Sequence, residues 1–313
     1  MVPRERKRIH EQYHLDRVQF RFHRRRAHSF EVDLRRLASL GVETVELGLT
    51  SVDLIAGGRV IKERAPRLAA LTAQFPFRYT VHGLVSSNFM DPTTVRYQID
   101  AAKALVEVCD RIGARVIVQH GGHLRADQLF ERAAADRRER EALFELAEFS
   151  SRYDVRIAFE NIFTTEPGQY RQTPAEIAET VTAVGHPNLV ALIDFSHAYI
   201  ESSYRGLNFR EQIRAMAPVT GDLHVHDSFG RPQAFYKPYH LQESTALGMG
   251  DLPMPLGWGD IEWEEIFAEL EFVPGTVLMM EIGSRYRNEQ SASLERARTL
   301  VALNSNRVAV AGQ

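Results

Sequence analysis

Eight short blocks rich in Val, Ile, Leu or Phe recur along almost the whole chain, at residues 18–23, 44–49, 78–82, 115–120, 155–160, 189–194, 222–227 and 276–281. Their shortness and near-continuous apolar character predict strands buried on both faces. Stretches at the helical period alternate with them, at 31–40, 65–75, 93–112, 128–153, 175–184, 209–216, 263–270 and 292–303. Thr173-Pro174-Ala175-Glu176 reads as a capping box with proline in the first turn. Gly41 and Gly113 stand where helix ends call for a left-handed residue. Eight strands alternating with eight helices predict an α/β fold, a single (β/α)8 TIM barrel over residues 1–313. A doubly wound open sheet would alternate too, but no glycine-rich phosphate turn follows the first strand. Arg24-Arg25-Arg26 follows it instead, read either as an anion contact or as a solvated loop.

The chain of 313 residues is 44% apolar, enough for a substantial core. No apolar run approaches the ~20 residues a membrane helix needs. Residues 1–16 form a basic extension with no apolar stretch behind it, unlike a secretory signal. The single cysteine, Cys109, excludes an intramolecular disulfide and a thiolate cluster, and among Val106, Val108 and Ile112 it reads as a core residue. These features predict a cytoplasmic protein with no membrane partner. A net charge of −3 gives no global basic field for nucleic acid. Of 38 basic residues only four are lysines, and runs such as Arg137-Arg138-Glu139-Arg140-Glu141 read as solvated faces.

The strand ends carry the chemistry. The third predicted strand finishes in His82, the fourth in His120, the fifth in Glu160, the sixth in Asp194, the seventh in the 224–227 stretch and the eighth in Glu281. His197 follows Asp194 in the turn beyond. Barrel sites are built from C-terminal strand ends, so six strands aim an imidazole or carboxylate at one place. Any one alone is an ordinary hydrogen-bonded residue. Burying all of them unpaired is costly, and a divalent cation satisfies them. Mixed imidazole and carboxylate donors point to Mn2+ or Zn2+ first, with Co2+, Fe2+ or Mg2+ behind, and away from calcium.

The segments Val81-His82-Gly83, Val118-Gln119-His120-Gly121-Gly122, Ala158-Phe159-Glu160-Asn161, Ile193-Asp194-Phe195-Ser196-His197, His224-Val225-His226-Asp227 and Met280-Glu281 resemble the xylose-isomerase-like barrel superfamily. That superfamily includes sugar epimerases, keto-sugar isomerases, inosose dehydratases and the endonuclease IV type of apurinic/apyrimidinic endonuclease. The resemblance to its single-metal members implies a cation held by Glu160, Asp194, His224 and Glu281. It also implies Glu160 and Glu281 as the acid/base pair and His197 at a substrate oxygen. Glu166 matches a substrate-contacting glutamate, and Arg231 the usual arginine after the seventh strand, though one residue late. The endonuclease type adds ligands where His82, His120 and His197 stand, and needs an Asp-x-His pair after the seventh strand. His240 is preceded by Pro238-Tyr239, so that aspartate is missing.

Two carboxylates from strands five and eight suit proton transfer on both faces of a carbon next to a carbonyl. The leading expectation is therefore a metal-dependent isomerase or epimerase of a sugar, sugar phosphate or cyclitol. A multi-zinc phosphodiesterase is the alternative, and a barrel that only binds a ligand comes third. Aromatics near the mouth, among them Trp258, either stack on substrate or pack the long loop over 228–259. That loop, with four prolines and five glycines, reads as a lid or as the contact face of a homo-oligomer.

Overall fold

The computed structural model describes residues 18–21, 27–49 and 52–311. The basic extension at 1–16, the end of the first predicted strand and Arg24-Arg25-Arg26 lie outside the described residues. Eight parallel strands close into a barrel: β1 (Val18–Arg21), β2 (Thr44–Gly48), β3 (Arg78–His82), β4 (Val116–His120), β5 (Arg156–Glu160), β6 (Leu189–Asp194), β7 (Thr220–Val225) and β8 (Val277–Met280). Each pairs with its sequence neighbour, and β1 closes the ring by pairing with both β2 and β8.

Among the described residues there are ten α-helices: α1 (Ala27–Ser39), α2 (Ala65–Thr72), α3 (Val95–Ile112), α4 (Arg132–Ser151), α5 (Pro174–Val184), α6 (Phe195–Arg205), α7 (Phe209–Met216), α8 (Leu241–Leu247), α9 (Trp263–Glu269) and α10 (Gln290–Ala311). The main core lies between strands and helices, where Ile157, Phe159, Leu223 and Leu278 meet Leu105, Leu143, Ile177 and Trp263. The opposite strand face points into the barrel. There Val118, Ala158, Val190 and Leu192 form a separate aliphatic cluster, as the alternation of side chains along a strand requires.

Start and stop signals act as the sequence predicts at several ends. Thr173 and Glu176 make reciprocal capping bonds, and Gly113 ends α3 at φ 73°. Two expectations need correction. The stretch after the sixth strand is not a turn: α6 begins immediately, capped by the Asp194 side chain, so His197 lies in its first turn. The single predicted helix over 128–153 is a 3-10 turn, Ala126–Glu131, followed by α4.

The segment 228–259 is ordered by contacts of its own. Asp227 pairs with Met254 through the backbone, and its carboxylate accepts from the Ser228 and Gly257 amides. Gly259 passes so close to Ser228 that a Cβ would lie 2.3 Å from its carbonyl oxygen. The two ends of the loop are thereby joined just beyond β7, and α8 lies within it in sequence.

Candidate metal centre

Six of the eight strands, β3 to β8, deliver polar side chains to the barrel mouth at or just beyond their ends, and local chemistry fixes the direction of several. His82 ends β3, and its Nδ1 lies 3.0 Å from the Gly83 carbonyl oxygen. Donation to that oxygen leaves Nε2 as the acceptor facing the mouth. Gly83 itself approaches β4 so closely that a Cβ would meet the Val118 carbonyl oxygen at 2.3 Å, which explains a glycine after the histidine. His120 is in register with Glu160 on the next strand, and Asp194 with His224. Asn161 ties the ends of β5 and β6 together through two 3.0 Å bonds to the backbone of Asp194. As the N-cap of α6, Asp194 accepts from the His197 amide at 2.8 Å, placing both side chains at the mouth.

Glu160 is the hub. Its side chain is fully buried, with imidazole nitrogens of His120, His197, His82 and His224 at 3.2, 3.3, 3.5 and 3.5 Å. Burial opposes its ionisation, but His120 and His224 outweigh that and hold the carboxyl well below the usual range. His224 in turn presents Nδ1 to Glu281 at 3.0 Å and to Asp194 at 4.0 Å, and Nε2 to Glu46 at 3.3 Å. Burial disfavours the charged imidazole, yet Glu46 and Glu160 raise its pKa well above the ordinary value.

Neither oxygen of Glu160, nor Nδ1 of His224, has a well-directed hydrogen bond despite these short separations. Polar atoms so deeply buried normally have one. Donor atoms of Glu160, Asp194, His224 and Glu281 all lie within 4.8 Å of one another, as do those of His82, His120 and Glu160, and those of Asp194, His197 and His226. Three oxygens and one nitrogen around a common point suit a borderline divalent cation, so these residues fit one.

Two contributors were not singled out from the sequence. His226 places Nε2 3.1 Å from Asp194, and its pKa is raised to about 9, burial being outweighed by Asp194 and Asp251. Asp251 reaches in from the long loop to 3.6 Å from His197 and 3.7 Å from His226. It thereby touches two members of the Asp194, His197 and His226 group.

The remaining candidates stand apart from this cluster. His240 is exposed at the start of α8, where its amide donates to Glu243. Arg231 lies over the Phe229 ring and donates to the Leu247 carbonyl, bonds internal to the loop. Trp258 is half exposed, edge-on to Tyr286. Glu166 is exposed in the segment after β5.

Residues 34–302 match the family described as the xylose isomerase-like TIM barrel. The chain belongs to this family. Among solved structures it is similar to a D-tagatose 3-epimerase-like protein, with 16% identity, 93% of this chain and 99% of the other covered, and a TM-score of 0.67. The apo 3-keto-D-glucoside 4-epimerase YcjR from E. coli gives 13% identity, 91% and 99% coverage and a TM-score of 0.62. The IOLI protein with a bound zinc atom gives 18% identity, 93% and 99% coverage and a TM-score of 0.65. No curated protein sequence matches the chain.

Proposed function

We propose that this barrel is a divalent-metal-dependent isomerase or epimerase acting on a sugar, sugar phosphate or cyclitol by proton transfer next to a carbonyl. The observation that carries the reading is the placement of Glu160 and Glu281. They arrive from β5 and beyond β8, and their carboxylates lie 3.5 and 3.0 Å from the same nitrogen of His224. A bound Mn2+ or Zn2+ would be held by Glu160, Asp194, His224 and Glu281 and would stabilise negative charge developing on adjacent substrate oxygens.

One carboxylate then removes the proton from the carbon, and the other, protonated at the outset, delivers its own proton to the opposite face. Glu160 is suited to the basic role because neighbouring imidazoles keep it ionised. His197, buried in the first turn of α6, would donate to a substrate oxygen. The loop carrying Asp251 brings that carboxylate to 3.6 Å from His197, at the side from which the substrate oxygen would be held. The epimerases named among the solved structures agree with a carbohydrate substrate.

A second reading, a multi-zinc phosphodiesterase, is favoured by one specific observation: the His82/His120 and His197/His226 groups flank the central one and share Glu160 and Asp194 with it. Incubation with ketoses, sugar phosphates and inososes in heavy water separates the two. Deuterium at the carbon next to the carbonyl supports isomerisation. Its absence from every substrate, with an abasic-site duplex cut and three ions bound per chain, supports the hydrolase.

A further inference from the structure

The interior of the barrel has two unlike walls. Val118, Ala158, Val190 and Leu192 make one side aliphatic. On the other, Glu46, Thr80, Asp222 and His224 are all buried. Glu46 belongs to β2, three places around the ring from β7, so its side chain crosses the interior to reach His224. Its Oε2 lies 3.3 Å from His224 Nε2 and 3.4 Å from the Thr80 hydroxyl.

A neutral imidazole has one donor nitrogen and one acceptor nitrogen. A carboxylate can only accept, so the Glu46 contact makes Nε2 the donor. The lone pair is then on Nδ1, the atom that faces Glu281, Asp194 and Glu160 at 3.0, 4.0 and 3.5 Å. The other tautomer would set the Nε2 lone pair against the Glu46 carboxylate and aim N–H at three carboxylates where a cation belongs. We propose that Glu46 is a positioning residue: by accepting Nε2–H from beneath, it holds His224 in the tautomer and ring orientation that offer Nδ1 to a divalent cation. This inference rests on the metal reading given above. Nothing in the sequence motifs marked Glu46, because it lies mid-strand, one layer below the strand-end residues.

The test is zinc affinity, measured by chelator competition on the purified full chain, together with thermal unfolding of the metal-free protein. Glu46→Ala is expected to weaken zinc about 10- to 100-fold, the usual effect of removing the partner of a metal-bound histidine. Glu46→Gln should restore affinity to within about threefold, because its amide oxygen accepts the same bond. Thr80→Val, which removes only the neighbouring hydroxyl, should change affinity by less than about twofold by the same reasoning. Wild-type affinity in Glu46→Ala, or Glu46→Gln as weak as Glu46→Ala, would overturn the proposal.

Should Glu46→Ala fail to fold, the unaltered protein still decides. Long-range 15N spectra of the zinc-loaded chain, with His224 assigned through His224→Asn, should show the Nε2–H tautomer, and an Nδ1–H signal would refute it. A chain that takes up no zinc removes the metal reading itself. Zinc uptake unaffected by Glu46 removes only this inference.

Discussion

Replacing Glu139 by glutamine should make the protein more stable, increasingly so as pH rises. Glu139 sits on α4 with no solvent exposure. One oxygen accepts from the Gly122 amide at 2.7 Å, two residues beyond His120, and the other has no hydrogen-bond partner. Burial pushes its pKa from 4.5 up to about 8. The native state therefore keeps a proton that the unfolded chain releases above pH 4.5, so stability falls as pH rises through the window between the two values. Each pH unit inside the window costs about 1.4 kcal/mol, so about 4 kcal/mol has been lost by pH 7.5. Glutamine has no proton to lose, and its amide oxygen can still accept from Gly122. At about 2 °C per kcal/mol for a chain this long, the variant's melting temperature should exceed the wild type's by about 8 °C more at pH 7.5 than at pH 4.5. Differential scanning calorimetry of both proteins after chelator treatment measures that difference directly. A constant offset across the range would refute the reasoning, because it would mean that Glu139 titrates normally.

Gly122→Ala should destabilise by about 1–3 kcal/mol in urea unfolding, since a Cβ there would lie 2.6 Å from Glu139 Oε1 and 2.7 Å from Asn88 Oδ1. Trp263→Ala empties a fully buried site beside Phe195 and Phe267 and should cost about 3–5 kcal/mol by the same assay. Metal affinity should rise with pH in competition titrations, because the His224 imidazole, whose pKa is raised well above normal, must lose a proton to bind. His240→Ala, on the exposed side of the loop, should leave both metal content and turnover unchanged.

The barrel was legible because its strands announce themselves twice, as apolar blocks and as polar residues at their ends. His82, His120, Glu160 and Asp194 each end a strand that the pattern delimits, so their convergence follows from the fold alone. Helix α6 was hidden because its buried residues are mixed: Ser196, His197, Glu201 and Ser202 interrupt Phe195, Ala198 and Ile200 and blur the apolar stripe that the helical period would reveal. His226 carried a readable signal, since it shares the strand parity of Asp222 and His224, both of which face the interior. Asp251 carried none. It reaches the site only through the loop's fold, and no periodicity relates a loop residue to strand ends formed far earlier in the chain. Glu46 shows a third limit: a charged residue inside an apolar strand is visible, but its partner across the barrel is not.

Anomalous diffraction from crystals grown with Mn2+ or Zn2+ tests the central claim most directly. One strong peak is expected among Glu160, Asp194, His224 Nδ1 and Glu281, lost when Glu281 is replaced by glutamine, with metal content after chelator dialysis falling at least about tenfold. A barrel with no anomalous peak between these four residues at saturating metal, or a Glu281→Gln variant that keeps its full metal content, would contradict it.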